Sequence, residues 1–340
     1  MKPPPSPSSA RSRRHFLGAA VASAAAAGLS GRPSWAANPD FPSRPIKIVV
    51  PYAPGGGVDL IARLLADALN QRWGQTVVVE NRSGASTIIG TQAVTKAEPD
   101  GYTLLLTSEA TITSNPFLFD KLPYDPFTEL APVSQLISLP QMVVAHPALA
   151  AQTLEELVAL ARRTPDAIAY ASYGSGSLPH LFFEGLKKRE GISLTQVPYR
   201  GIMPAVTAVL AGEVQLTLAG VSAARALLEA GKLKALALAD VKRLDAFPEV
   251  PTLHEKGYAD IDPQVSWFGL FATGGTPPAI VQRIQQAVAA IGNAPSFREK
   301  HLDPRGFTPI FSTPEAFAER IREEADLKAK LIALTGAKAE

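Results

Sequence analysis

The chain has 340 residues, of which 46% are hydrophobic and 19% are charged, so its composition is globular and excludes wholesale disorder. This length predicts two domains, each able to bury a core of its own. Residues 1–36 hold five basic residues and no acidic one, which leaves 28 basic and 31 acidic residues, a net charge of −3, on the rest. Such a body lacks the basic surface that nucleic acids require, and DNA and RNA binding is excluded.

Residues 1–36 have the pattern of an export signal. The pair Arg13-Arg14 precedes an apolar run over 16–29, which has 14 residues and is too short to span a bilayer comfortably. Small residues around Ala36 suit a signal peptidase, so we expect twin-arginine export to the periplasm with cleavage near Ala36. The chain has no cysteine, hence it needs no disulfides there and offers no thiolate for catalysis or metal binding.

Strands and helices alternate in the first part of the mature chain. Short β-branched runs predict strands, and apolar residues at helical spacing predict the helices between them. Strands without polar alternation, separated by amphipathic helices, indicate a parallel sheet that is covered on both faces. The predicted strands are 46–50, 76–80 and 102–107, and the predicted helices are 60–69 and 86–97.

The alternation is interrupted over 115–140, where we expect loops, and a second α/β run follows. We therefore expect one domain from 41–142 plus 265–340 and another from 143–264. The chain would cross between them near 140 and 265, and the C-terminal helices would pack on the first domain. Further strands are predicted at 168–172, 194–197, 214–218, 234–239 and 267–272, and further helices at 154–163, 178–189, 205–210, 223–230, 278–291 and 314–334.

Three loops of small residues, 53–57, 81–86 and 173–177, each follow a predicted strand. Ligands of open α/β sheets bind at the carboxyl ends of strands. Glycines there admit a ligand to the backbone, and the helix behind presents free N–H groups that accept an anion without a lysine or arginine. One such loop alone is equally an ordinary tight turn, but three loops across both domains favour a shared anion site.

The sequence motifs of common enzymes and cofactor-binding sites are incomplete in these loops. The first glycine loop lacks the third glycine of a dinucleotide fingerprint, no Walker-type lysine is present, and no nucleophile elbow is complete. The histidines are not paired at a metal-binding spacing, and we expect His180 to bond to a neighbouring loop. Asp59 is interpreted as a first-turn carboxylate that complements a helix dipole, and Arg82 and Arg200 as partners in salt bridges between domains. We expect no catalytic residue, metal or cofactor.

Eight motifs in register over residues 41–335 resemble the Bug solute receptors, the binding proteins of tripartite tricarboxylate transporters. Each motif is short, but their order leaves little room for chance. They are VPYAPGGGVD at 50–59, VVVENR at 77–82, PDGYTLL at 99–105, LPYDP at 122–126, VPYRG at 197–201, VPT at 250–252, WFG at 267–269 and GTPP at 275–278.

The resemblance implies a two-domain periplasmic binding protein of type II-like, flytrap architecture, each domain a mostly parallel sheet flanked by helices. It implies a monomer that closes on a small organic acid, a di- or tricarboxylate or an aromatic carboxylate, for uptake through membrane permease subunits or for a sensor protein. Backbone groups and waters would hold the carboxylate. Carried over by position, the ligand-binding residues are Tyr52, Pro54, Gly55, Gly56, Asn81, Gly84, Ala85, Ser86, Ser108, Glu109, Tyr173, Gly174, Ser175, Gly176, Ser177 and Gly220.

Two departures from the family pattern bear on the ligand. Ser86 and Thr87 stand where the family usually has two glycines, which changes the size of the pocket. The stretch 218–221 lacks the carboxylate that would pair with an amino group, which favours plain organic acids over amino acids. An exported α/β hydrolase or lyase acting on a small carboxylate ester is the alternative, supported by the serine-rich loops and His180. A structural or adhesive protein is a third. An ester panel and a copurifying ligand would separate the three.

Overall fold

The structure is a computed structural model that describes residues 1–3, 41–173, 176–199, 202–262 and 266–338. Asp40–Glu340 forms one compact unit. The twin arginines and the cleavage site of the predicted signal peptide lie outside the described residues, as do Gly174, Ser175 and Arg200.

Helices and strands alternate through this compact unit. In chain order the strands are β1 (Ile46–Val50), β2 (Val77–Asn81), β3 (Thr103–Ser108), β4 (Leu130–Leu139), β5 (Gln141–Ala145), β6 (Ala169–Ser172), β7 (Thr195–Pro198), β8 (Leu216–Gly220), β9 (Lys234–Ala239), β10 (Ser266–Thr273) and β11 (Thr308–Pro309). The helices are α1 (Gly57–Trp73), α2 (Ile88–Thr95), α3 (Asn115–Leu118), α4 (Leu154–Arg163), α5 (Leu178–Glu190), α6 (Ile202–Ala211), α7 (Val221–Glu229), α8 (Pro278–Gly292), α9 (Pro295–Phe297) and α10 (Pro314–Thr335).

The strands form two sheets. The six-stranded sheet has the order β11-β4-β10-β3-β1-β2, and the five-stranded sheet has the order β7-β6-β8-β5-β9. In the first sheet β1 runs parallel to β2 and β3, with Ile46 opposite Val77 and Lys47 opposite Thr103. In the second, β6 runs parallel to β7 and β8. These parallel pairs follow from the predicted strand–helix alternation.

The chain passes from the first sheet to the second at Pro140, which separates β4 from β5. It returns between β9 and β10, and β10 then pairs antiparallel with both β3 and β4. In the second sheet β5 pairs antiparallel with β8 and β9. Both sheets are therefore mixed, because β10 and β11 run against the other strands of the first sheet and β5 runs against the other strands of the second.

Residues 115–140 were expected to form loops, and this expectation is wrong for its second half. β4 has ten residues there, and most of them are buried. Polar groups of β4 form hydrogen bonds with a residue that is distant in sequence. Ser134 Oγ donates to the Ser312 carbonyl (2.9 Å), and the Gln135 N–H donates to Ser312 Oγ (3.0 Å). A buried strand thus tolerates polar residues that, in the sequence alone, look like a loop.

The C-terminal helix α10 reaches both sheets rather than the first alone. Near its start Phe317 packs edge-on against Trp267 of β10, with the ring centroids 5.0 Å apart. Near its end Leu331 is buried in the core of the second sheet. Both ends are well defined, since the Thr313 side chain accepts from the Ala316 N–H and Gly336 closes the helix at a φ of 68°.

Candidate functional site

A cleft of about 900 Å³ is lined by loops from both sheets and by residues at the two places where the chain crosses between the sheets. Its walls come from the carboxyl ends of β1, β3, β6 and β8, as expected for ligand sites of α/β sheets. The predicted site residues that line it are Tyr52, Pro54, Gly56, Ser108, Glu109, Tyr173, Gly176, Ser177 and Gly220.

The other predicted site residues among those that the structure describes are not part of this lining. Gly55 lies within the first loop but does not line the cleft, and Asn81 turns its side chain inward to that loop. Gly84, Ala85 and Ser86 are exposed to solvent. The structure thus brings the first and third loops together with the end of β3 and leaves the second loop outside the lining.

Three helix starts meet at the cleft. Gly56 precedes α1, Ser177 precedes α5 and Gly220 precedes α7, and all three residues line the cleft. The glycines have no side chain with which to cap the helix, so backbone N–H groups of the first turns stay available, except that of Val221 in α7, which donates to the Pro140 carbonyl (2.9 Å). Together with the helix dipoles, these groups favour an anion in the cleft.

Asp59 holds the first loop in shape. Its carboxylate accepts from the Gly55 N–H (2.9 Å), from Asn81 Nδ2 (2.8 Å) and from Arg63 Nε and Nη2 (3.0 Å each). Asn81 Nδ2 also donates to the Tyr52 carbonyl (3.1 Å), which ties the second strand to the loop. Burial raises the pKa of the Asp59 carboxyl, but these hydrogen bonds outweigh it, and the pKa is lowered from 3.8. Asp59 is structural, as predicted, but through the loop more than through the dipole.

Replacing Asp59 by Asn is expected to weaken ligand binding and to lower the free energy of unfolding by about 2 kcal/mol, because the amide oxygen replaces only one of the two carboxylate oxygens and the amide nitrogen cannot accept from the donors that face the other. In the wild type the lowered pKa contributes stability that is complete above pH 3.8 and is lost as the pH falls through the folded-state value. The variant should lack this acid-dependent part. Urea unfolding at several pH values checks this, with Asp67→Asn on the exposed face of α1 as the control. Equal stability of the two variants would contradict it.

The second loop holds three consecutive non-glycine residues in left-handed conformations. Ala85, Ser86 and Thr87 have φ values of 45°, 48° and 79°. Such a conformation costs a residue with a Cβ atom roughly 1–2 kcal/mol. Asn115 Nδ2 donates to the Ser86 carbonyl (2.8 Å) and to Thr87 Oγ1 (3.2 Å), and these bonds hold the loop. The chain therefore keeps a backbone that suits two glycines while carrying serine and threonine there.

A cluster of buried charges lies behind the cleft. Glu109, the first residue after β3, accepts from Ser266 Oγ (2.7 Å), and Glu324 of α10 accepts from Trp267 Nε1 (2.7 Å) and Thr113 Oγ1 (3.0 Å). Lys328, one turn further along α10, is fully buried. Burial raises the pKa of Glu109 and lowers that of Lys328, and the attraction between these two side chains acts against both shifts.

Two isolated residues have structural roles. His180 Nδ1 accepts from the Gly176 N–H (3.0 Å), so it bonds to the neighbouring loop as predicted, and burial lowers its pKa. Arg82 was expected to bridge the domains, and this is wrong: it is exposed and pairs with Glu80 of β2, the strand that it directly follows. The described residues contain no cluster of His, Asp or Glu side chains that could hold a metal ion.

The part of the lining that comes from the crossings between the sheets was not predicted from the sequence. Gln141 follows Pro140, and Ser266 opens β10 at the return crossing. A polar residue next to each predicted crossing is the signal that could have found them. Ala53, which lies in the predicted loop 53–57, also lines the cleft. The other lining residues that were missed are Val58, Ala110, Ser114, Leu139, Leu178, Ile202, Ser222, Ala223 and Phe268.

Comparison with known proteins places this arrangement among transport receptors. The family described as tripartite tricarboxylate transporter family receptor matches residues 61–336. Protein BugT of Bordetella pertussis is 36% identical over 303 residues, which cover 88% of this chain and 91% of BugT.

Solved structures agree. The structure of Rpa4515 of R. palustris with adipate is 32% identical and has a TM-score of 0.73, over 88% of this chain and 99% of that one. MatC from Rhodopseudomonas palustris with bound malate is 30% identical and has a TM-score of 0.70, over 86% of this chain and 100% of that one. These likenesses confirm the predicted α/β fold of two helix-flanked sheets. No helix among the described residues is long and apolar enough to cross a membrane.

Proposed function

This chain belongs to the tripartite tricarboxylate transporter receptor family, and from that premise we propose that it binds a small organic carboxylate in the cleft between its sheets. Receptors of this family are periplasmic solute-binding proteins rather than enzymes, so the predicted resemblance to Bug receptors is confirmed and the hydrolase alternative is set aside. Adipate and malate are bound by the related structures, which supports a carboxylate here.

The observation that carries the proposal is the meeting of three helix starts, from α1, α5 and α7, in one cleft. Each contributes N–H groups that are free of helix hydrogen bonds, and a carboxylate accepts several such bonds at once. The ligand-binding residues that we propose are the predicted ones that line the cleft, joined by Gln141 and Ser266.

We further propose that the two domains, 41–142 plus 265–340 and 143–264, close on the ligand as a flytrap. Pro140 and the segment near 265 would act as the hinge, since a few loop residues at crossings absorb such motions. The closed receptor would deliver its ligand to membrane permease subunits or to a sensor protein.

Isothermal titration with adipate, malate, citrate and benzoate tests the function. Binding of at least one acid, with a smaller radius of gyration in solution scattering at saturation, is the expected result. Hydrolysis of esters from a small panel, with no binding of any acid, would show that the proposal is wrong.

Residues 1–36 are proposed to direct export through the twin-arginine route, with cleavage near Ala36. Replacing Arg13 and Arg14 together by Lys is expected to retain the precursor in the cytoplasm, because the route reads the arginine pair. Cell fractionation with immunoblotting measures this. Undiminished delivery of the variant to the periplasm would show that the general secretory route is used instead.

A further inference from the structure

We propose that Gln141 makes the cleft select hydroxycarboxylates over the corresponding acids without a hydroxyl group, an inference that rests on the proposed function. The side chain would accept a hydrogen bond from the ligand hydroxyl at the floor of the cleft. Gln141 is then a specificity-determining residue, whereas the helix starts hold the carboxylate.

Gln141 carries a buried acceptor that has no partner. The residue lines the cleft and is only 2% exposed. Its Nε2 donates to the Leu139 carbonyl (3.0 Å), while its Oε1 has no hydrogen-bond partner in the structure. The bond to Leu139 settles which end of the amide is the oxygen, because a reversed amide would place two oxygens against each other.

A buried acceptor without a partner is costly, and native proteins keep few of them. A ligand that donates a hydrogen bond to Oε1 removes that cost, whereas a ligand with only C–H groups at this point leaves it in place. Sites of this kind discriminate strongly against the analogue that lacks the hydroxyl, because the polar group of the protein then stays unpaired.

The surroundings of Gln141 place this acceptor at the junction of the two sheets. Leu139 ends β4 and stands opposite Ser266 of β10, and Ser266 Oγ donates to Glu109 Oε2 (2.7 Å). On the other side Gln141 stands opposite Gly220, the residue before α7. A hydroxyl bound here would therefore lie next to both crossings and to one of the three helix starts.

The charges nearby favour a hydroxyl over an ammonium group. Gln141 itself is neutral, and Glu109, the carboxylate among the lining residues, already interacts electrostatically with the buried ammonium of Lys328. Glu324 is bonded to Trp267 and lies 3.4 Å from Arg320. An amino ligand would bring a further positive charge, whereas Glu109 and Glu324 already interact with the positive charges of Lys328 and Arg320. A hydroxyl brings one donor and no charge.

Matched acids test the proposal by isothermal titration: malate against succinate, 2-hydroxyglutarate against glutarate, and 2-hydroxyadipate against adipate. We expect the hydroxy member of the best-binding pair to bind about tenfold tighter, the effect of one buried hydrogen bond. Gln141→Met, which is close to glutamine in size, should reduce this ratio to near one by weakening only the hydroxy acid. Gln196→Met, at a glutamine of β7 that bonds to Ser172, should keep the ratio.

The outcomes separate this inference from the proposed function. Equal binding of both members by the wild type overturns the inference and leaves the carboxylate receptor intact, a result that needs no variant. A ratio that survives in Gln141→Met shows that another residue reads the hydroxyl. Aspartate binding tighter than malate identifies an ammonium site instead. Failure of every acid to bind overturns the proposed function, and the inference with it.

Discussion

Replacing Lys328 by Met is expected to lower the free energy of unfolding by about 3–5 kcal/mol, because it removes one partner from a buried set of charges. Lys328 is fully buried on α10, and its ammonium acts on Glu324, Glu109 and Asp262. Methionine fills a similar volume, so the loss would come from carboxylates left without their cation. The helix that carries Lys328 reaches both sheets, and this cluster therefore helps to hold them together.

Lys330→Met is the matched control, since Lys330 lies two residues further along the same helix and is exposed. Urea unfolding of both variants gives the comparison, and Lys330→Met should resemble the wild type. Adding Glu109→Gln to Lys328→Met should recover part of the loss, because it removes a carboxylate that the lysine no longer balances. Wild-type stability of Lys328→Met would show that the cluster does not depend on its cation.

Much of the fold could be predicted because its signals are local. The run of β-branched residues at 46–50 and the amphipathic spacing at 154–163 coincide with β1 and α4. β4 could not be found in this way. It contains Pro132, Ser134 and Gln135, and the Ser134 hydroxyl and the Gln135 N–H bond to Ser312, which is distant in sequence. The identity of such a strand is decided by its neighbours in space, which a local pattern does not contain.

The residues of the site also divide into those that local sequence patterns predict and those that they do not. Loops between a strand and a helix are visible in the sequence, and the first and third of them do line the cleft. Gln141 and Ser266 reach the site only because the chain crosses there and the two crossings lie side by side. The strained second loop was predicted as part of the ligand site because of its small residues, but it does not line the cleft. Its hydrogen bonds are instead with Asn115 and Thr111 inside the protein.

Replacing Gly176 by Val is expected to weaken carboxylate binding by at least tenfold, whereas Arg82→Gln should change it less than about twofold. Gly176 lines the cleft just before α5 and has a φ of 73°, which a branched side chain adopts only with strain. A Cβ atom there would lie 2.7 Å from a methyl group of Leu118 on α3, so Leu118 or the loop must shift. A shift of the loop would break the bond from the Gly176 N–H to His180 and displace the start of α5 at the cleft.

Gly191→Val separates the loop shift from general damage. Gly191 closes the other end of α5 with a φ of 62°, and a Cβ atom there would meet nothing within 4 Å. This variant should lose stability through backbone strain but keep its affinity. Titration of the tightest acid from the panel into all three variants decides between two kinds of site. If Arg82→Gln abolishes binding while Gly176→Val binds normally, an arginine holds the carboxylate, and the helix starts do not.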